Sequence, residues 1–173
     1  MIPTNVWIVL LVGLIPLAVG AIWYGPLFKN AWLRVNGLTD ADLAGASMVK
    51  IYGLAYVFSC LIALLLCMVV IHQFGLSGMF GMLSDQWLVE GSELTVALDG
   101  LDARFGMYTR HLSFGHGLLH GAFFGLAFVG PIVAIIGLFE RRPWRYAAIH
   151  TGYWTVALGL MGGVLSQFLI LPL

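Results

Sequence analysis

The chain has 173 residues, of which 61% are hydrophobic and only 9% charged, against about 25% charged in ordinary soluble domains. Eight basic and eight acidic side chains cancel, so nothing points to nucleic acid or to a polybasic lipid-binding tail. These charges leave four uncharged runs, residues 1–28, 51–84, 111–139 and 146–173, which places the chain in the membrane class.

A helix rises ~1.5 Å per residue through a hydrocarbon core about 30 Å thick, so roughly 20 apolar residues make one crossing. The sequence therefore predicts one all-α transmembrane domain over residues 1–173, a bundle of four helices near 6–25, 51–74, 112–138 and 146–170. The first resembles a cleaved secretory signal, but no basic segment leads it and its apolar run is too long; it is read as retained. Trp23, Tyr24, Phe28 and Trp32 bracket its inner end, at a depth shared with Trp144 and Trp154, as an aromatic belt would.

In the following connection, Thr39 with Asp42 three residues on forms a capping-box pattern that starts a short helix. The second membrane helix carries the only cysteines, Cys60 and Cys67, about 10 Å apart along one face and so unable to form a disulfide with each other. The long connection 75–111 is acidic, with Asp85, Glu90, Glu93, Asp99 and Asp102. Within it, "ELTVALDGLDARF" alternates apolar and polar residues about Asp99 and Gly100, which predicts a β-hairpin over 93–106 with one apolar face; a short interfacial helix is the rival reading.

Lys29, Arg34 and Lys50 lie in the first connection and Arg141, Arg142 and Arg145 in the third, against only Arg104 and Arg110 in the second. Six basic residues against two put the first and third connections in the cytoplasm, and both termini with the 75–111 connection outside.

Apolar burial does little to join helices in lipid, so small residues that admit close backbone approach matter more. Gly117, Gly121 and Gly125 repeat every four residues on the third helix, and Gly159, Gly162 and Gly163 slim the fourth; the tight "ERRPWR" turn makes the two antiparallel neighbours. Pro131 after Gly130 removes a backbone hydrogen bond and bends the third helix.

No Asp, Glu, Lys or Arg lies in mid-span, which argues against an ion-coupled pump. No nucleotide loop or nucleophile motif is present either, so ordinary hydrolase and NTPase functions are not supported. What remains is histidine: His150 sits near the inner edge, whereas His72, His111, His116 and His120 gather at the outer ends of the second and third helices. His116 and His120 are one turn apart and share a face, so with His72 they are the candidate metal ligands, for zinc or haem. The competing reading makes them polar groups near the surface, bonded to water, to the acidic connection or to each other.

"AIWYGPLFKNAW", "HGAFFGLAFVGP", "LFERRPW" and "IHTGYWTVALGLMGGVL" together resemble the bacterial integral membrane proteins grouped as domain of unknown function family 1761. Matching positions include Trp23, Tyr24, Pro26, Trp32, His120, Gly121, Pro131, Glu140, Gly152, Tyr153 and Trp154. The resemblance implies a compact four-helix membrane domain in a bacterial inner (plasma) membrane, and carries no activity. The chain departs from the family pattern in its long acidic connection and at Lys29 and Asn30.

The first expectation is thus a non-catalytic membrane protein acting by self-association or as an accessory subunit of a membrane complex, with lipid as its surroundings and no cofactor required. The alternatives are a metal- or haem-binding enzyme or redox accessory using the outer histidines, and an oligomeric passive pore or small-molecule carrier.

Overall fold

The computed structural model describes residues 4–171. Three helical segments, Trp7–Leu27, Met48–Val70 and Phe114–Phe139, are long and apolar enough to cross a membrane. The first is α1 (Trp7–Val12) and α2 (Ile15–Ile22), continued by a π-turn over Trp23–Leu27. Pro26 in that turn cannot donate a backbone hydrogen bond, and Gly25 leaves helical geometry at φ −97°, ψ −108°. Then come α3 (Lys29–Asn36) and α4 (Asp40–Ala44), where the Asp42 carboxylate accepts from the Thr39 N–H at 2.8 Å and the Thr39 hydroxyl at 2.6 Å. Those two bonds hold the Asp42 carboxyl below its usual range.

The second long segment is α5 (Met48–Val70), followed by the short α6 (Phe74–Phe80). In the connection beyond it, residues 93–106 form no hairpin: they are α7 (Glu93–Phe105). Ser92 caps the first turn by accepting from the Thr95 N–H, and Gly106 in left-handed geometry (φ 64°) ends the last. Leu94, Leu98, Leu101 and Phe105 recur at spacings of four, three and four, so the apolar face also fits a helical period; Leu98 is the buried member.

The third long segment is α8 (Phe114–Phe124), a π-turn over Gly125–Val129 and α9 (Gly130–Phe139). Pro131 falls in the first turn of α9, and the Gly130 N–H reaches back to the Gly125 carbonyl, so the proline is absorbed by one wide turn. The last helix, α10 (Trp144–Phe168), has a length of about 37 Å at ~1.5 Å per residue. Thr151, Tyr153, Thr155, Ser166 and Gln167 make it less apolar than the other three. It is also the most enclosed helix, packed against α1, α2, α3, α5, α8 and α9.

Two ends with different interiors result. At one end Thr4 and Asn5 bond to Phe168 and Ile170, and the core of Val12, Ala63, Leu66, Val70, Leu158, Met161 and Leu165 fills the space between α1, α5 and α10. At the other end Trp23 Nε1 donates to the Ile149 carbonyl at 3.1 Å, and Arg142 Nη1 to the Asn36 carbonyl at 3.1 Å. The aromatic residues Trp23, Tyr24 and Trp32 therefore pack inward, while Phe28 and Trp144 are exposed.

Candidate metal centre

Helix α5 stops at Val70 because Ile71 turns to extended geometry, which leaves His72 just beyond the helix end. The neighbouring Gln73 is only 3% exposed, and its amide donates to the carbonyls of Met107 and Arg110, both at 2.9 Å. That side chain ties the connection to the end of α5. The connection is further ordered by Tyr108, whose N–H donates to Asp102 at 2.7 Å and whose hydroxyl donates to Asp99 at 3.1 Å.

His111 follows in left-handed geometry (φ 66°), uncommon for a residue other than glycine. Its carbonyl accepts from the Ser166 hydroxyl at 3.4 Å, while the Phe114 N–H donates to Gln167 at 3.0 Å, so α10 fixes where α8 begins. Ser113 caps α8 by accepting the His116 N–H, and one turn later comes His120.

Four imidazoles consequently meet. His72 Nε2 lies 3.0 Å from His116 Nε2, a hydrogen bond in which one ring must supply N–H and the other a lone pair. The ring of His72 stands edge-on to His116 and His120 at 5.1 and 5.0 Å, His116 is 4.4 Å from His120, and His111 stacks on His116 at 4.6 Å. One ligand nitrogen from each of His72, His116 and His120 lies within 4.8 Å of the other two. A tetrahedral ion with metal–nitrogen bonds of about 2.0–2.1 Å needs its ligands roughly 3.3 Å apart, so small ring rotations would bring the three nitrogens onto one ion. Haem fits less well: these ring contacts leave no slot for a macrocycle between imidazoles.

The glycines lie along a different seam. A Cβ on Gly117 would strike the Gly162 carbonyl oxygen, one on Gly121 the Leu158 carbonyl oxygen, and one on Gly125 would come 2.7 Å from the Thr155 Cα. Gly159 faces Ala122, and Gly162 faces Gly117. Residue numbers rise on one helix as they fall on the other, so α8 and α10 are antiparallel with their backbones almost in contact.

The family model described as Protein of unknown function (DUF1761) matches residues 7–166. The chain belongs to that family. No curated protein and no solved structure matches it. The DUF1761 match runs through the 75–111 connection, so His72 and His116 fall within it as His120 does.

The other positions carried by the resemblance mostly lie at the opposite end of this DUF1761 chain. Tyr24 bonds through its hydroxyl to His150 Nδ1 at 2.9 Å and packs on Trp32 and Tyr153. Tyr153 donates to the Pro16 carbonyl at 3.0 Å, and Gly152 makes room for the Trp23 ring. Pro26 and Pro131 sit at the two π-turns, Glu140 pairs with Arg142 at 3.2 Å, and Trp154 lines an apolar crevice with Phe124 and Leu158. The thiol of Cys67 is buried and donates to the Ala63 carbonyl.

Sequence reasoning missed the Tyr24, His150 and Tyr153 group and the role of Gln73. The signal for the first was two phenol hydroxyls and an imidazole inside otherwise apolar helix ends.

Proposed function

We propose that this chain is a non-catalytic four-helix integral membrane protein that holds one transition-metal ion, zinc in the first instance, between His72, His116 and His120. The carrying observation is that three imidazoles from two segments 44 residues apart converge within ligand distance. Neutral imidazole suits zinc and copper, and three protein ligands leave a fourth position open for water or for a second protein's donor. His111, stacked on His116, is the nearest further imidazole.

In this reading α10 crosses the membrane with the other three segments, and both termini and the histidines lie on the outer face of a bacterial inner membrane. The basic connections, Lys29 to Lys50 and Arg141 to Arg145, lie inside. The glycine seam is consumed within the chain, so the exposed apolar side chains, such as Leu65, Met68, Phe123 and Phe139, are left to acyl chains or to a partner subunit.

The test is a zinc titration of metal-stripped, detergent-purified protein against a chromophoric chelator. The wild type is expected to take up one ion per chain, and H116Q/H120Q to bind at least about tenfold more weakly while keeping its fold. Equal binding by the two proteins, or none by the wild type, would remove the proposal.

A further inference from the structure

The end of the molecule opposite the histidine cluster holds a cavity of about 580 Å³, within the usual range for a small-molecule site. Its walls come from α2, the Trp23–Leu27 π-turn, the start of α5 and the first turns of α10, with Trp32 and Leu43 of the connection beside it. Leu17, Ala21, Ile51 and Ala55 make most of it apolar. Among the described residues no Asp, Glu, Lys or Arg lines it, so nothing there balances a ligand charge.

Polar capacity is nonetheless concentrated in it. Tyr24, Tyr52, Tyr153 and His150 all contribute to the lining. Tyr153 spends its proton on the Pro16 carbonyl. Tyr24 bonds to His150 Nδ1; with the imidazole proton on Nδ1 the phenol accepts it and keeps its own O–H free to donate to a carbonyl or hydroxyl oxygen. Tyr52 makes no hydrogen bond among the described residues, and His150 Nε2 is buried without a partner. Gly25, the one residue of the π-turn with non-helical φ and ψ, also lines the cavity. Irregular backbone at membrane depth is tolerated where it borders a cavity or is buried in protein, and π-turns recur at functional sites.

We propose that this inner-end cavity binds a neutral, bilayer-soluble aromatic molecule bearing a single carbonyl or hydroxyl head, which hydrogen-bonds to the Tyr24 phenol while its apolar body lies against α2 and α5. The aromatic walls, with Tyr24 packed 5.6 Å from Trp32 and 5.0 Å from Tyr153, suit a planar ring. The absence of charge from the lining selects against carboxylates and amines. The site is independent of the metal centre and stands or falls without it.

Benzophenone is a probe of this class, with two apolar rings and one carbonyl, and it photolabels C–H bonds within reach. The full chain in detergent is irradiated with it and the labelled peptides are mapped by mass spectrometry. Saturable labelling is expected at Met48, which lines the cavity and is itself partly open to the surroundings, so displacement by excess diphenylmethanol marks the cavity-bound fraction. Y24F should lower that labelling at least about threefold, and A55F, which fills the cavity, should remove it while the melting temperature stays near that of the wild type. If A55F does not fold, Y24F alone decides. Labelling spread evenly over the exposed Met68, Met79 and Met82 and indifferent to competitor, or labelling at Met48 that Y24F leaves unchanged, would overturn the proposal.

Discussion

Replacing Gly121 by alanine adds one methyl group where α8 meets α10. The new Cβ would lie 2.7 Å from the Leu158 carbonyl carbon and 3.2 Å from the Gly159 Cα, and closer still to the Leu158 carbonyl oxygen. All three are backbone atoms, so no side chain can rotate away. Carbon contacts settle near 3.5–4.0 Å, so the helices must part by about 1 Å along a seam that also contains Gly117 and Gly125. Overpacking of this kind costs roughly 1–3 kcal/mol, and for a chain of this length each kcal/mol moves the melting temperature by about 2–4 °C. G121A should therefore melt about 2–12 °C below the wild type. Gly53 provides the control, since a Cβ there meets nothing within 4 Å. G53A removes a flexible residue from the interior of α5, a gain of roughly 0.5–1 kcal/mol, and should melt at or slightly above the wild-type temperature. Both are compared at one heating rate in a C60A background, with a thiol-reactive fluorophore reporting release of Cys67, which is 3% exposed. Coincident melting of G121A and the wild type would show that the α8 and α10 backbones leave room for a methyl group and are not in close contact.

Ser92 caps α7 by accepting from Thr95 and also donates to the Gln86 carbonyl at 2.7 Å, so S92A should cost about 1 kcal/mol and speed amide exchange in the first turn, residues 93–96. Unchanged exchange there would mean the helix is held by its apolar face alone. The orientation follows from single cysteines at positions 92 and 142 with Cys60 and Cys67 changed to alanine. An impermeant thiol reagent on cells without an outer barrier should label position 92 and spare 142, and the opposite pattern reverses the topology.

Much of the architecture was legible because membrane helices advertise themselves by local composition. The four-residue spacing of Gly117, Gly121 and Gly125 marks a single helix face in any context, and the short "ERRPWR" turn leaves α10 as the natural neighbour of that face. The histidine grouping was legible for a similar reason: His116 and His120 are a helical pair, and depth counted along each helix brings His72 to the same level. The segment 93–106 misled because its apolar residues satisfy both a two-residue and a 3.6-residue period, and Asp99 with Gly100 resembles a turn. The better signal lay at its ends, where Ser92 can cap and Gly106 can terminate a helix. The cavity lined by Tyr24 and His150 was not legible at all. Tyr24 and His150 are 126 residues apart, and their meeting depends on how α2 leans on α10, which no local pattern encodes. The π-turns were half legible: Pro26 and Pro131 announce a disturbance, but tertiary packing decides whether it becomes a kink or one wide turn.

X-ray absorption on the zinc-loaded protein reads whether three histidines, from α8 and the end of α5, hold one metal ion. The expected spectrum has three imidazole nitrogens at about 2.0–2.1 Å with one oxygen ligand, and fewer imidazoles in H116Q/H120Q. A zinc shell of oxygens with one imidazole or none in the wild type, or a spectrum the double substitution does not alter, would contradict it.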